Sequence, residues 1–201
     1  VVGGLLPDLD RYCRQRLLRE LAERLHAKMV EQESISQPII EAASIDKIYR
    51  TASDSVQALR NVSLQVQKGE IVAVMGPSGC GKTTLLNCLS GLDGIDAGDV
   101  QINGQSLSEL TDDELSEYRA RSMGFVFQTF NLLSVLSAQE NVELPLLVAG
   151  ISSKMASIIA LEKLDQVGLV EWAHHKPAAL SGGQRQRVAV ARALANEPAI
   201  V

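Results

Sequence analysis

Gly76-Pro77-Ser78-Gly79-Cys80-Gly81-Lys82-Thr83 is the stretch that decides the fold. It fits the phosphate-loop pattern G-x-x-x-x-G-K-[ST] at every fixed position. An apolar run, Ile71-Val72-Ala73-Val74-Met75, precedes it, and a helix-compatible run, Thr84-Leu85-Leu86-Asn87-Cys88-Leu89, follows. That strand–loop–helix order gives the motif its meaning. The glycines let successive backbone N–H groups converge on phosphate oxygens, and the following helix adds the positive end of its dipole. Lys82 is expected to reach the β and γ phosphates, and the Thr83 hydroxyl to ligate Mg²⁺. The motif predicts a bound nucleoside triphosphate.

Working outward, the composition is that of an ordinary globular protein, 46% hydrophobic and 21% charged over 201 residues,. One domain with a smaller subdomain fits that length. A formal net charge of −5 argues against a dominant nucleic-acid surface, which calls for basic patches. The acids at Asp112-Asp113-Glu114 read as a solvated helix start. Cys13, Cys80 and Cys88 stand at neither disulfide-framework nor zinc spacing and fit a reducing cytoplasm. No run approaches the roughly 18 apolar residues of a membrane span. The chain opens Val1-Val2-Gly3-Gly4, and a polar stretch after Met29 resembles a native start. Leu17, Leu18, Leu21 and Leu25 have helical spacing, so residues 10–28 read either as an amphipathic extension or as sequence upstream of Met29.

From Ile39 the pattern predicts strands at Ile39–Ile48 and Leu59–Val66 around a polar loop, Thr51–Ser55. A buried strand is expected over Glu70–Met75 and a helix from the phosphate loop to about Leu89. Gly98–Gly104 alternates as a strand does. Thr111 with Glu114 marks a capped helix start. Gly124-Phe125-Val126-Phe127 reads as a second buried strand. Ser137 to about Leu169 is helical, with Pro145 and Gly150 as breaks, and Ser181 caps a helix running to Leu194. An α/β nucleotide-binding core carrying a helical insertion follows from this order.

Leu180-Ser181-Gly182-Gly183-Gln184 is the second strong motif. Small residues at a helix start allow close approach of an anion to backbone N–H groups; plain helix capping is the simpler reading. Together with the phosphate loop, this LSGGQ run resembles the ATPase subunit of ATP-binding cassette (ABC) transporters. The resemblance covers roughly Ile39 to Val201. It implies a P-loop core of the ABC type with a small antiparallel β subdomain and a helical subdomain. Residues 1–38 would be an N-terminal extension, 39–134 the core with its β subdomain, 135–180 the helical subdomain, and 181–201 the LSGGQ helix with the start of the Walker B strand.

The same resemblance assigns roles. Gly76 to Thr83, with Thr84, hold the nucleotide; Tyr49 stacks on adenine; Ser181, Gly182, Gly183 and Gln184 face the γ-phosphate held by a second, head-to-tail subunit. Gln128 is the Q-loop glutamine, touching Mg²⁺ and the attacking water, and the loop after it meets a membrane permease. The words Gly91-Leu92-Asp93, Gly124 to Leu133 and Glu140 to Leu146 look like the lipoprotein-releasing and macrolide-export ATPases. The implied place is cytoplasmic, at the inner face of the membrane through the permease, with no nucleic-acid partner. Cys80 stands where serine is common, and its alkylation is expected to block ATP binding.

The family also has a strand ending in Asp-Glu after the LSGGQ helix, then a switch histidine. Ala199-Ile200-Val201 begins that strand, and His26, His174 and His175 all precede the LSGGQ run. The final core strands are therefore expected to lie beyond these residues, with hydrolysis by the whole gene product and none by the 201 residues alone. An uncovered strand edge and apolar surface are expected as well. His174-His175 reads as a solvated pair. The rival reading is a soluble cassette ATPase acting on nucleic acid or ribosomes; a third is a shortened nucleotide-binding regulator without turnover.

Overall fold

The structure is a computed structural model that describes residues 38–51 and 54–201. The expectations for residues 10–28, Met29, Cys13 and His26 lie outside them. The described residues form two compact units, each considered by itself. One contains the residues up to Leu85 and Ile95–Leu107; the other contains Leu86–Gly94 and Ser108–Val201.

The first unit is a four-stranded antiparallel sheet in the order β2-β1-β3-β4. Its strands are β1 (Ile40–Arg50), β2 (Ser55–Val66), β3 (Ala97–Ile102) and β4 (Gln105–Ser106). Ala42, Ile45, Leu59, Val100 and Ile102 are its buried apolar positions. β1 does not run evenly against β2: Ala42 pairs with Leu64 but Ile45 with Val62. The slack falls at Ser44, whose φ is 50° and whose N–H donates to Ser63 Oγ at 2.8 Å. Such a bulge twists the strand and re-aims the residues beyond it, here Ile48 to Arg50. Asn103-Gly104 closes β3 onto β4 with φ values of 51° and 76°, the geometry a two-residue hairpin turn requires.

The second unit is helical: α2 (Asp112–Ser122), α3 (Ala138–Val148), α4 (Ser153–Gln166) and α5 (Gly182–Ala193). α1 (Lys82–Leu89) follows the phosphate loop. Val142 and Leu146 of α3, Ala156, Ala160 and Leu164 of α4, and Val188 and Ala191 of α5 share one buried cluster. Their recurrence at three and four residues puts one apolar face of each helix inward. Burying a side chain such as Leu164 contributes about 2 kcal/mol.

Three of these helices open on complete capping boxes, Thr111 with Glu114, Ser137 with Glu140, and Ser181 with Gln184. The Thr111 and Ser137 backbone N–H groups, followed by their hydroxyls, hold Glu114 and Glu140 below the usual glutamate range of about 4.5. A carboxyl whose pKa is depressed on folding contributes stability that is whole above its unfolded value and lost as pH falls through the folded one. The caps of α2 and α3 should therefore be intact above pH 4.5 and fail below it. In Glu114→Gln/Glu140→Gln, acid unfolding monitored by circular dichroism should lose part of its dependence on pH in that window. An unchanged acid limb would show that these caps do not matter to it.

Two expected strands are absent. Residues 71–75 lie outside every strand, with Ile71 97% and Met75 88% exposed. A strand exists through its ladder bonds, and no described segment pairs with this run. Gly124–Phe127 is likewise no strand. A single parallel bridge joins Met123 to Ile200, with Gly124 N–H donating to the Ile200 carbonyl at 2.8 Å; Val126 and Phe127 are exposed. The chain there is nonetheless extended enough to stack the alternate rings of Phe125 and Phe127, 6.0 Å apart,. The exposed apolar residues agree with the expectation of uncovered surface. Pro145 does not break the helix but lies within α3; a proline inside a helix removes one donor, and the Pro145 carbonyl still accepts from Ala149 N–H at 3.0 Å. Gly150, at φ 85°, ends it.

Candidate nucleotide-binding site

The phosphate loop is a tight exposed turn in the first unit. Gly79 and Gly81 have φ values of 81° and 89°. A Cβ at Gly81 would lie 2.7 Å from the Ala58 carbonyl oxygen, so only glycine lets the loop pass β2. α1 starts at Lys82, and Leu85 N–H donates to the Gly81 carbonyl at 2.8 Å. The N–H groups of Lys82, Thr83 and Thr84 therefore belong to the first turn, where a helix has no partner of its own to offer. Lys82 Nζ folds back on the loop, donating to the Gly76 carbonyl (3.0 Å) and the Pro77 carbonyl (2.6 Å), with Cys80 Sγ 3.6 Å away. Pro77 and Ser78 complete the turn and are exposed. Thr83 presents its hydroxyl from an exposed position.

Cys80 is exposed, and its sulfur is so close to the loop that a Cβ on Gly76 would meet it at 2.7 Å. Any group added to that sulfur crowds Gly76 and the Lys82 ammonium, 3.6 Å away. N-ethylmaleimide should abolish nucleotide binding, and prior ATP should protect. Full binding after complete modification of Cys80 would refute this.

Tyr49 sits at the end of β1, 41% exposed, with Lys47 Nζ 5.1 Å from its ring centre. Asp96 holds both neighbours of Tyr49, Ile48 through the backbone and Arg50 through the side chain. Ile48 N–H donates to one Asp96 oxygen at 2.7 Å, and Arg50 Nη1 to the other at 3.0 Å. The Ile48 N–H first, then Arg50, hold the Asp96 carboxyl below its usual range. Asp96 was not foreseen from sequence. An acid before Ala97-Gly98 reads as a turn former, and only the fold brings it to β1.

In the helical unit, Ser181 caps α5. Its Oγ accepts from Gln184 N–H at 3.3 Å, and Gln184 Oε1 accepts from Ser181 N–H at 2.8 Å. The simpler capping reading of this serine thus holds as geometry. Gly182 and Gly183 are another matter: a Cβ on either would touch nothing within 4 Å. Their bareness serves no packing among the described residues and leaves an open backbone surface. Gln128 lies in an exposed turn, not at a strand end. The segment after it is held by Arg192 of α5, whose Nη2 donates to the Phe130 carbonyl at 2.8 Å and Nη1 to the Asn131 carbonyl at 2.6 Å. Burial lowers the Arg192 pKa from its ordinary value. Arg192 was also missed; in sequence it is one basic residue of a helix end, where dipole complementarity explains it well enough.

No group of His, Cys, Asp and Glu able to hold a metal occurs among the described residues. His174 and His175 are exposed, as expected, and His175 lies against Trp172 with ring centres 4.9 Å apart. The oxygens that Thr83 and Gln128 offer are hard, neutral donors. Each, in its own unit, is of the kind that Mg²⁺ takes beside water and phosphate,.

The chain is similar to known proteins. The family model described as "ABC transporter" matches residues 59–201. The lipoprotein-releasing system ATP-binding protein LolD of Saccharophagus degradans is 47% identical over 83% of this chain and 73% of its own length. An uncharacterized ABC transporter ATP-binding protein of Thermotoga maritima is 48% identical over 81% and 70%. A solved dimeric ATP-binding cassette, MJ0796, in a post-hydrolysis state bound to ADP and Pi, superposes with a TM-score of 0.74. It is 45% identical, and the match covers 79% of this chain and 70% of that one. With a phosphate loop at the start of one helix and a bare-backbone LSGGQ turn at the start of another, the chain belongs to the ABC transporter family, as its ATP-binding cassette.

Proposed function

We propose that this cassette binds Mg-ATP, pairs head to tail with a second copy, and drives a membrane permease of the lipoprotein-releasing kind. The work would be export or extraction of a lipoprotein or lipid. The observation that carries the reading is the open surface at Gly182 and Gly183, which no packing among the described residues requires. Such a surface is complementary to a phosphate presented by another molecule, as in a dimer with nucleotide between its subunits. Relatives named for lipoprotein release support the choice of cargo. No finding favours the nucleic-acid or ribosome alternative.

In this reading the first-turn N–H groups of Lys82, Thr83 and Thr84, with the loop from Gly76 to Gly81, cradle the β-phosphate region. Lys82 leaves the Gly76 and Pro77 carbonyls for the phosphates, and Tyr49 stacks on adenine. Ser181, Gly182, Gly183 and Gln184 complete the site of the opposite subunit, and Gln128 orients water. Thr83 and Gln128 would hold Mg²⁺, which would supply neutralisation of the charge on the transferred phosphoryl group. Preorganised donors aimed at that charge are the main source of rate. The subunit would work at the inner face of the cell membrane, held by its permease; no described helix is long and apolar enough to cross a membrane.

The test is ATP turnover by the full-length subunit, alone and with its permease in lipid vesicles. Stimulation by permease supports the reading, and turnover indifferent to every candidate permease removes it. The 201-residue chain alone should bind nucleotide weakly and not hydrolyse it. Release of phosphate above background by that chain would refute the second statement.

A further inference from the structure

The segment after Gln128 is bent against its own preference. Phe130 has a φ of 62° and Asn131 a φ of 46°, the left-handed region, which a bulky phenylalanine in particular avoids. Two consecutive residues there persist only where surrounding structure holds them. The holder is Arg192. Its guanidinium spans the carbonyls of both strained residues, one N–H bond to each. A planar fork with several donors is the side chain that satisfies two adjacent carbonyls at once. Its charge is half-buried, a position that an apolar residue would fill without desolvation cost. The interaction with the loop accounts for an arginine there.

The far end of the same loop is held from elsewhere. Asn141 of α3, fully buried, accepts from Leu133 N–H at 2.8 Å and donates to the carbonyls of Leu133, Leu136 and Ser137. The loop is therefore tied at one end to α3 and at the other to α5, the helix that Ser181 to Gln184 begin.

We propose that Arg192 is a positioning residue that clamps the strained Phe130–Asn131 backbone to the LSGGQ helix. A push on the loop after Gln128 then moves the Ser181–Gln184 surface with it. The coupling half of this statement rests on the transporter reading; the clamp itself does not.

The experiment uses the full-length subunit with Arg192→Met, which keeps length and removes the donors, and Arg192→Lys, which keeps charge and one donor site. Hydrogen exchange of the subunit alone comes first. Peptides covering residues 129–133 should exchange about tenfold faster in Arg192→Met, with Arg192→Lys intermediate and the phosphate-loop peptides unchanged. With permease, stimulated kcat should fall about tenfold in Arg192→Met while KM for ATP stays within about twofold. Unchanged exchange at 129–133 overturns the clamp. Faster exchange with unchanged stimulation overturns the coupling. A parallel rise in KM and exchange throughout the chain overturns the positioning role in favour of plain stability. Should Arg192→Met not fold, Arg192→Lys is compared with wild type by the same readouts. A wild-type subunit that no permease stimulates overturns the reading the coupling rests on, and the exchange result still decides the clamp.

Discussion

Lys82→Ala in the full-length subunit is expected to leave the fold intact and remove activity. Lys82 makes no buried contact that holds the core; its ammonium rests on two carbonyls of its own exposed loop. Those bonds are the ones a phosphate replaces with a stronger, charge-assisted pair. A hydrogen bond to a charged group contributes about 1.5–3 kcal/mol, so nucleotide affinity should fall roughly 10- to 100-fold. The chemical step should suffer more, since the same ammonium faces charge that grows towards the transition state; a loss of about 10²–10³ in kcat is expected. Binding of a fluorescent ATP analogue and phosphate release measure the two effects separately. Turnover within tenfold of wild type would contradict the assignment of Lys82 to the phosphates.

Asn141→Leu should destabilise the helical unit strongly. The side chain is nearly isosteric with leucine and wholly buried among apolar neighbours, so a simple hydrophobic argument predicts a neutral or stabilising result. The hydrogen bonds decide otherwise. Asn141 satisfies the Leu133 N–H and the Leu136 carbonyl, and adds to the Leu133 and Ser137 carbonyls, which also accept from the N–H groups of Leu136 and Asn141. Leaving a buried donor or acceptor unpaired costs about 1–3 kcal/mol each. Even with partial hydration of the loop, a loss of about 3 kcal/mol is expected, which lowers Tm by roughly 6–12 °C for a chain of this size. Thermal unfolding of the full-length subunit tests it. A Tm within 2 °C of wild type, a change of under about 1 kcal/mol, would mean that water takes over all four bonds.

The sequence made short-range features legible. Thr111, Ser137 and Ser181 each stand three residues before a Glu or Gln, and each folds into a reciprocal cap, because capping depends on neighbours in the chain. The phosphate loop is legible for the same reason, glycines and lysine being local to one turn. The strand expected over Glu70–Met75 fails to form for the opposite reason. Its apolar, β-branched residues state a preference, but a strand needs a partner at ladder distance, and that is not written in its own residues. Asp96, Asn141 and Arg192 were invisible on similar grounds. Each serves backbone groups that the fold brings to it, from as far as 62 positions away in sequence. Pro145 shows a lesser case, where packing tolerates what propensity forbids.

Trp172 is the only tryptophan of the chain, and it lies in the helical unit, 36% exposed and tilted against His175. Intrinsic indole emission is thus a local optical signal. It reports on the 170–175 turn, and the sheet that carries Tyr49 holds no tryptophan of its own. Melting curves recorded by emission will describe the helical unit, while far-ultraviolet dichroism sums both. Disagreement between the two curves is the simplest sign that the units lose their structure separately.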